Sequence, residues 1–424
     1  MKRIGTIGLC MTFCLTMHAQ KTYTLEECRA MALENNLKLK NAQNDIEAAM
    51  QGKKEALTAY FPNVSATGMA FNANTGTIQA EMGPGMELSL LKNGTLGGVT
   101  AVQPVFAGGQ IVNANRLSKK ALEVSRIQKE LTENEINLAT EEYFWQMVNL
   151  KEKKKTIESL AKMLEKLHKD VEVAVEAGVT TRNDLLQVQL KKNEVESNRI
   201  HIENGISLCR MVLAQHIGLD TPDFDIEAVE GDALPASPDA LFCDHHAMLG
   251  LTPEYRLLEK NVEVNNLQHK LAIGKNLPNV GIGVGYMYTH IMDKDHSFGV
   301  AFASVSVPIS GWWGGSHAIR KQKLKTINAR NDLEDQSELL LIRMQQVWND
   351  LQNAYRQTQI AWESIDQSAE NLRLHNDYYQ AGTTTMSELL DAQSLYQQSR
   401  DKYVDACSQY NIKTLEYKQA TGTH

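Results

Sequence analysis

The sequence predicts an α+β chain, mostly α, in which long coiled-coil helical hairpins carry four membrane-spanning β-strands. Three observations lead there. The chain repeats itself, a long stretch from Ile111 to Ala177 holds neither Pro nor Gly, and short segments alternate large and small side chains with a period of two.

The chain has 424 residues, with 43 Lys and Arg against 51 Asp and Glu, a net charge of −8. That balance excludes a protein that seeks nucleic-acid phosphates. Its 42% hydrophobic content excludes a disordered chain. Lys2 and Arg3, the apolar run from Ile4 to Met17 and the small residue Ala19 read as a secretory signal peptide over residues 1–19. Without Lys2 and Arg3 the net charge of −8 becomes −10. Four cysteines remain, Cys28, Cys209, Cys243 and Cys407, too few for a disulfide framework and expected as free, buried thiols. No later segment offers about 20 consecutive apolar residues, so integration into a bilayer requires strands.

The repeat sets the domain order. Val175–Leu190 aligns with Tyr379–Ser394 at an offset of 204 residues, with seven of sixteen positions identical and Asp184 facing Glu388. The same offset relates Pro104 to Pro308 and Gly218 to Gly422. Phe61-Pro-Asn-Val64 matches Leu277-Pro-Asn-Val280 at an offset of 216, shared by Asn36 and Thr252, both good N-cap types. The 12-residue difference places a longer loop in the first half. Residues 20–218 and 252–424 are therefore two copies of helix, strand, strand, long helix, tight turn, helix. An irregular linker rich in Asp, Pro and Ala is expected over 219–251.

Thr24-Leu-Glu-Glu27 is a capping box opening a short helix, and a second helix follows from Leu37 to Tyr60. Ile111 to Ala177, as one helix, would run about 100 Å. Ile157, Leu160, Leu164, Leu167, Val171 and Ala174 alternate spacings of three and four, a coiled-coil seam. Gly178 ends the helix in a left-handed turn. Thr181 then caps the next helix with Asp184 as box partner, and Gly382, Thr385 and Glu388 repeat the arrangement. Both turns read as tight antiparallel helix hairpins.

Val280, Ile282, Val284, Tyr286 and Tyr288 alternate with Gly281, Gly283, Gly285 and Met287, giving one large and one small face. Phe298 to Pro308 is expected to pair with this strand across a turn near Asp293–His296; the first half offers Val64–Asn72 and Leu96–Val105. Segments of about 9–11 residues suit tilted bilayer strands. Four strands leave two raw edges, which lipid forbids, so copies must join to close the ring. Three copies would give a 12-stranded barrel.

The two Ala-Gly-x-Thr-Thr-x-x-acid-Leu-Leu tips, the paired Pro-Asn-Val strand starts and the strand exits Val102–Gly109 and Val305–Gly315 resemble the TolC family of outer-membrane efflux channels. The resemblance covers nearly all of the chain after residue 19. It implies a homotrimer, with a 12-stranded barrel in the outer membrane and an α-helical barrel across the periplasm. It implies a passive exit duct of an efflux or secretion system, in contact with outer-membrane lipid and docking at its helical tips to a periplasmic adaptor and an inner-membrane transporter. Neither enzyme activity nor a cofactor is implied. In the family, acids matching Glu388 and Asp391 line the closed pore entrance, and Tyr379 and Asp184 match members of a latch. The arginine that joins that latch in the family falls at Thr384 here. Gly178, Thr180 and Thr181, with Gly382, Thr384 and Thr385, form the tip turns.

Each of these residues also has a plainer reading. Asp184 and Glu388 serve as capping carboxylates, and Tyr379 suits ordinary helix packing. Asp391 has no cap to explain it and its repeat mate is Gln187. Phe106, Trp312 and Trp313 sit where strands give way to helices, which suits aromatic rings at a membrane interface. The glycines after them permit a sharp bend. Cys243-Asp-His-His246 lacks a second ligand pair at metal-site spacing and reads as solvated linker, so no metal is expected. No phosphate loop, nucleophile elbow or catalytic constellation is present. The rival reading is a periplasmic adaptor or a structural coiled-coil protein without a pore.

Overall fold

The computed structural model describes residues 21–74, 78–81, 87–90, 93–227, 233–291, 294–309 and 311–423. The expected signal peptide, with Cys10 and Cys14, and Asp293 of the expected turn lie outside the described residues. The chain folds as two compact units, each drawing segments from both repeats. The first gathers the described residues up to Leu37 with Glu133–Phe242 and Gln346–Gln419. The second holds Lys38–Thr132, Cys243–Gln345 and the residues from Ala420.

In chain order the first repeat runs β1 (Lys21–Tyr23), α1 (Leu25–Asn35), α2 (Leu37–Thr58), β2 (Asn63–Asn72), β3 (Ile78–Glu81), β4 (Glu87–Leu90), β5 (Asn93–Ala107), α3 (Gln110–Glu176) and α4 (Arg182–Ile217). Then come β6 (Phe224–Ile226), α5 (His245–Met248), α6 (Pro253–Gly274), β7 (Asn279–Ile291), β8 (Lys294–Ser306), α7 (Gly311–Gln380) and α8 (Met386–Thr421). Single 3-10 turns at Pro238–Leu241 and Leu249–Leu251 flank α5.

The helix signals act as their chemistry requires. Thr24 and Glu27 form the reciprocal capping box of α1, and Thr252 caps α6 by accepting from the Tyr255 amide. Asn36 behaves differently from its repeat mate: its side-chain amide donates to the His216 carbonyl near the end of α4. Gly218 and Gly422 both take positive φ at helix ends, at 78° and 68°. The α3 seam is buried at Ile157, Leu160, Leu164 and Val171, against Val188 and Val195 of α4 and Met386, Leu389 and Leu390 of α8. One apolar cluster in the first unit thus joins both helical hairpins near their turns.

The linker departs from expectation. In the first unit β6 pairs in parallel with β1, and Phe224 packs edge-on against Tyr23. The Tyr403 and Tyr410 hydroxyls donate to the Ala233 and Ala236 carbonyls, and Phe242 packs on Trp348. The small residues of this Ala- and Pro-rich stretch let it lie flat on helix α8, with its carbonyls serving as acceptors. In the second unit Asp244 and His246 are exposed, as expected of a solvated linker, while His245 between them is buried. No metal-ligating cluster forms among the described residues. All four described cysteines are free; Cys28 and Cys209 are buried, which pushes their thiols up to about 12 and about 11.

In the second unit four strands form one antiparallel sheet in the order β2-β5-β7-β8. The central pair, β5 and β7, comes from different repeats, so the two hairpins meet across the middle and leave β2 and β8 as edges. The strands are longer than expected. β5 starts at Asn93 and bulges between Pro104 and Phe106, where proline lacks a ladder donor. Lys294, Asp295 and His296 belong to β8, not to a turn: Asp295 accepts from Tyr288 at 2.6 Å and pairs with His290 at 2.8 Å across the ladder. The longer first-half loop contains the β3–β4 hairpin.

The strand-to-helix junctions rest on glycine for two reasons. Gly108 and Gly109 take φ of 58° and 75°, the bend expected after β5. A Cβ on Gly108 would lie 2.3 Å from the Gly274 carbonyl oxygen, and one on Gly274 would lie 2.5 Å from that of Gly108. In the second repeat Gly314 and Gly315 lie inside α7, and Gly315 instead makes room for Asn276. Gly108→Ala combines left-handed strain with a backbone clash and is expected to cost about 3 kcal/mol or more. Gly52→Ala, in an open helical position, is expected to be neutral or slightly stabilising. Thermal unfolding of the two variants side by side checks the contrast; equal melting would remove the close approach at Gly108.

Candidate functional site

The α3–α4 and α7–α8 turns are built alike. Gly178, at φ 71°, ends α3 in a Schellman motif: its amide donates to the Val175 carbonyl and the Val179 amide to that of Ala174. Gly382, at φ 72°, does the same, with its amide on Tyr379 and the Thr383 amide on Tyr378. Three residues after each glycine the next helix is capped reciprocally. Asp184 accepts from the Thr181 amide at 3.2 Å while its own amide donates to Thr181 Oγ1 at 3.3 Å. Glu388 accepts from the Thr385 amide at 2.9 Å and returns the bond to Thr385 Oγ1 at 3.3 Å.

One hydroxyl per turn was not legible as a carboxylate partner. Thr180 Oγ1 donates to Asp184 Oδ2, and Thr384 Oγ1 to Glu388 Oε2. These bonds, led by Thr180 and by Thr384, hold both carboxyls below the ordinary carboxylate range. Thr384, which departs from the arginine of the resembled latch, is thus engaged within its own turn.

Tyr379 reaches the other hairpin. It packs against the apolar cluster at the turns and shares a hydrogen bond with Thr180, in the field of Asp184. Burial, opposed by that hydrogen bond, pushes its phenol up. The structure therefore gathers Tyr379, Thr180, Thr181 and Asp184 into one network linking the α7 end to the α3–α4 turn. Glu388 and Asp391 are both exposed. No hydrogen bond or ion pair among the described residues holds Asp391.

The sheet has two unlike faces. Val64, Val99, Ile282, Val284, Tyr286 and Val305 lie on one face and are more than two-fifths exposed. On the other, large side chains lie over glycines: Phe71 on Gly94, Met287 on Gly98 and Phe302 on Gly283, where an added Cβ would clash at 2.4–3.0 Å. Phe106 and Trp313 project at the junction with the helices, and Trp313 is 80% exposed. Trp312 is half exposed, but its indole N–H donates to the Asn276 carbonyl at 2.9 Å, fastening the start of α7 to the end of α6. No helix among the described residues is long and apolar enough to cross a membrane.

Long helical hairpins with an open, two-faced sheet define the architecture of outer-membrane channels of the efflux type. The model of the outer membrane efflux protein family matches residues 29–207 and 255–423, and the chain belongs to that family. The TolC-like resemblance of the tip and strand motifs agrees with this membership. The fold is similar to that of CusC, a transmembrane channel, at TM-score 0.81 and 12% identity over 94% of this chain and 92% of that one. It is similar to the outer membrane protein VceC from Vibrio cholerae at TM-score 0.78 and 15% identity, over 94% and 96%. The open-state outer membrane channel MtrE from Neisseria gonorrhoeae matches at TM-score 0.78 and 15% identity, over 94% and 88%. No curated protein matches the chain in sequence. The chain is thus an outer-membrane efflux protein, a transport duct and not an enzyme.

Proposed function

We propose that three copies assemble into a passive exit duct, with a 12-stranded barrel in the outer membrane and the helices reaching through the periplasm to an adaptor and an inner-membrane transporter. One observation supports this above the others. The four-stranded sheet ends in two edge strands, β2 and β8, of 10 and 13 residues, exposed along nearly their whole length. Unpaired backbone cannot sit in hydrocarbon, so other copies must supply the partners. The face bearing Val284 and Tyr286 suits lipid. From Val280 to Tyr288 it runs about 27 Å along the strand, roughly 20 Å after tilting, near the height of a lipid-facing band. Phe106 and Trp313 then mark one interface and Tyr286 and Tyr288 the other.

In this reading residues 1–19 are a signal peptide that directs export. The turns around Gly178 and Gly382 meet the adaptor, Glu388 and Asp391 ring the entrance, and the Tyr379–Thr180–Asp184 network latches neighbouring hairpins without an arginine. A pore-free adaptor would need no closure of β2 and β8, which disfavours that rival. The test is the protein-only molar mass of the species that detergent releases from purified outer membranes. About three chains is the expected result. A single chain, or release without detergent, would overturn the duct.

A further inference from the structure

The helix ends beside the sheet carry a charge opposite to that of the chain as a whole. Residues 49–58 of α2, 110–120 of α3, 264–275 around the end of α6 and 311–325 of α7 together hold eleven Lys and Arg and one acid, Glu55. The whole chain, by contrast, has an excess of eight acids. All four segments lie in the second unit, within a few turns of β2, β5, β7 and β8.

Part of this charge is already used. Lys120 bonds Glu263 at 2.7 Å and Glu123 at 2.9 Å, and Lys260 bonds the same two carboxylates at 3.1 and 3.0 Å, a closed quartet between α3 and α6. Three of the quartet, Lys120, Glu123 and Glu263, also line a cavity of about 400 Å³, together with Arg116, Lys119 and Lys270 and with Asn266 and Leu267. None of Arg116, Lys119 and Lys270 has a described ion pair, and all three are exposed. On α7, Trp313, His317, Arg320 and Lys321 are exposed at spacings that share one helix face. An exposed apolar belt of Val305, Ile309 and Trp313 adjoins these cations.

We propose that this collar takes the phosphate headgroups of anionic phospholipid in the leaflet next to the helices. The apolar belt meets the acyl chains, and the cations stand where headgroups begin. In this acidic protein the surface is predominantly positive: the four segments hold ten more cations than acids, and the two carboxylates next to them, Glu123 and Glu263, are held by Lys120 and Lys260. The proposal rests on the reading that the strands cross the outer membrane.

The test uses the purified full-length channel in vesicles of phosphatidylcholine and phosphatidylglycerol at equal mole fraction, with brominated chains on one lipid or the other. Trp312 and Trp313 stand at the junction, whereas Trp145, Trp348 and Trp362 belong to the first unit. Brominated phosphatidylglycerol is expected to quench tryptophan emission as if enriched about fivefold at the protein surface, the scale one basic residue supplies at an anionic membrane. The preference should shrink with salt. It should vanish in the variant Arg116→Gln, Lys119→Gln, Lys270→Gln, Arg320→Gln, Lys321→Gln, whose total quenching stays at the wild-type level. Equal quenching by both lipids in the wild type, or a preference the variant retains, would overturn the collar while leaving the barrel intact. A preference abolished by inorganic phosphate at matched ionic strength would make it a free-phosphate site and overturn the lipid assignment. Absence of quenching by either lipid would remove the strands from the bilayer and overturn the duct itself.

Discussion

Replacing Glu388 with Gln and Asp391 with Asn is expected to raise the concentration of a trivalent cation that half-blocks the channel current about tenfold or more. In the proposed trimer these residues place six carboxylates around one constriction. A pair of unit charges 4 Å apart interacts by about 1 kcal/mol in water and about 4 kcal/mol at an effective dielectric of 20. Several such terms acting on a trivalent ion in a narrow mouth readily exceed the 1.4 kcal/mol that makes a factor of ten. The amide substitutions matter. Glu388 also caps α8, and an alanine there would unfasten the turn as well as remove charge. Gln keeps the box. Asp391 holds no described partner, so Asp391→Asn alone should lower the block with no change in stability.

The pH dependence of that block follows from the hydrogen bonds. Thr384 and Thr385 both donate to Glu388 and favour its ionised form, so its folded-state value lies below the 4.5 of a free glutamate. A depressed carboxyl is ionised throughout the range above its unfolded value and loses its charge only as pH falls through the folded one. The Glu388 share of the block should therefore persist down to about pH 4.5 and fade below it. Single-channel recordings across that range check the sign. A half-blocking concentration unchanged in the double variant would take both residues out of the pore.

The parts of the fold that the sequence announced are those with a local cause. The capping boxes at Thr24, Thr181 and Thr385, the glycine ends at Gly178 and Gly382 and the α3 seam each depend on residues a few positions apart, and each stands as expected. Contacts between distant segments were not legible. Nothing in the composition of residues 219–251 reveals that Ala233 and Ala236 offer their carbonyls to Tyr403 and Tyr410. Likewise, the requirement for Gly108 and Gly315 comes from the backbone of Gly274 and the side chain of Asn276, each well over thirty residues away. At the tip, motif spacing identified Asp184 and Glu388 but not their second hydroxyl donors, Thr180 and Thr384, because a flexible turn residue has no periodicity to betray it. The basic collar had a readable signal, a run of cations in an acidic chain, and it became a place only once the strand ends were located.

Gly382→Val is expected to abolish most efflux, and Gly382→Asn to leave it nearly unchanged. Gly382 stands at φ 72° with nothing within 4 Å of where a Cβ would be, so the cost of a side chain here is one of backbone conformation and not of crowding. Asn visits the left-handed region readily, whereas a β-branched residue there is strained by about 2 kcal/mol or more. That strain acts on the Schellman bonds from Gly382 to Tyr379 and from Thr383 to Tyr378, which fix where α7 stops. It therefore moves Tyr379 away from Thr180 and displaces the carboxylate of Glu388, six residues on. About 2 kcal/mol corresponds to roughly a thirtyfold loss of the native turn in each chain, and three chains share one entrance in the proposed assembly. The measurement is drug or dye efflux in cells with matched amounts of outer-membrane protein. Full efflux in the valine variant at normal protein level would show that the left-handed turn is dispensable. Equal loss in both variants would show that bulk at the tip, and not backbone strain, is what docking excludes.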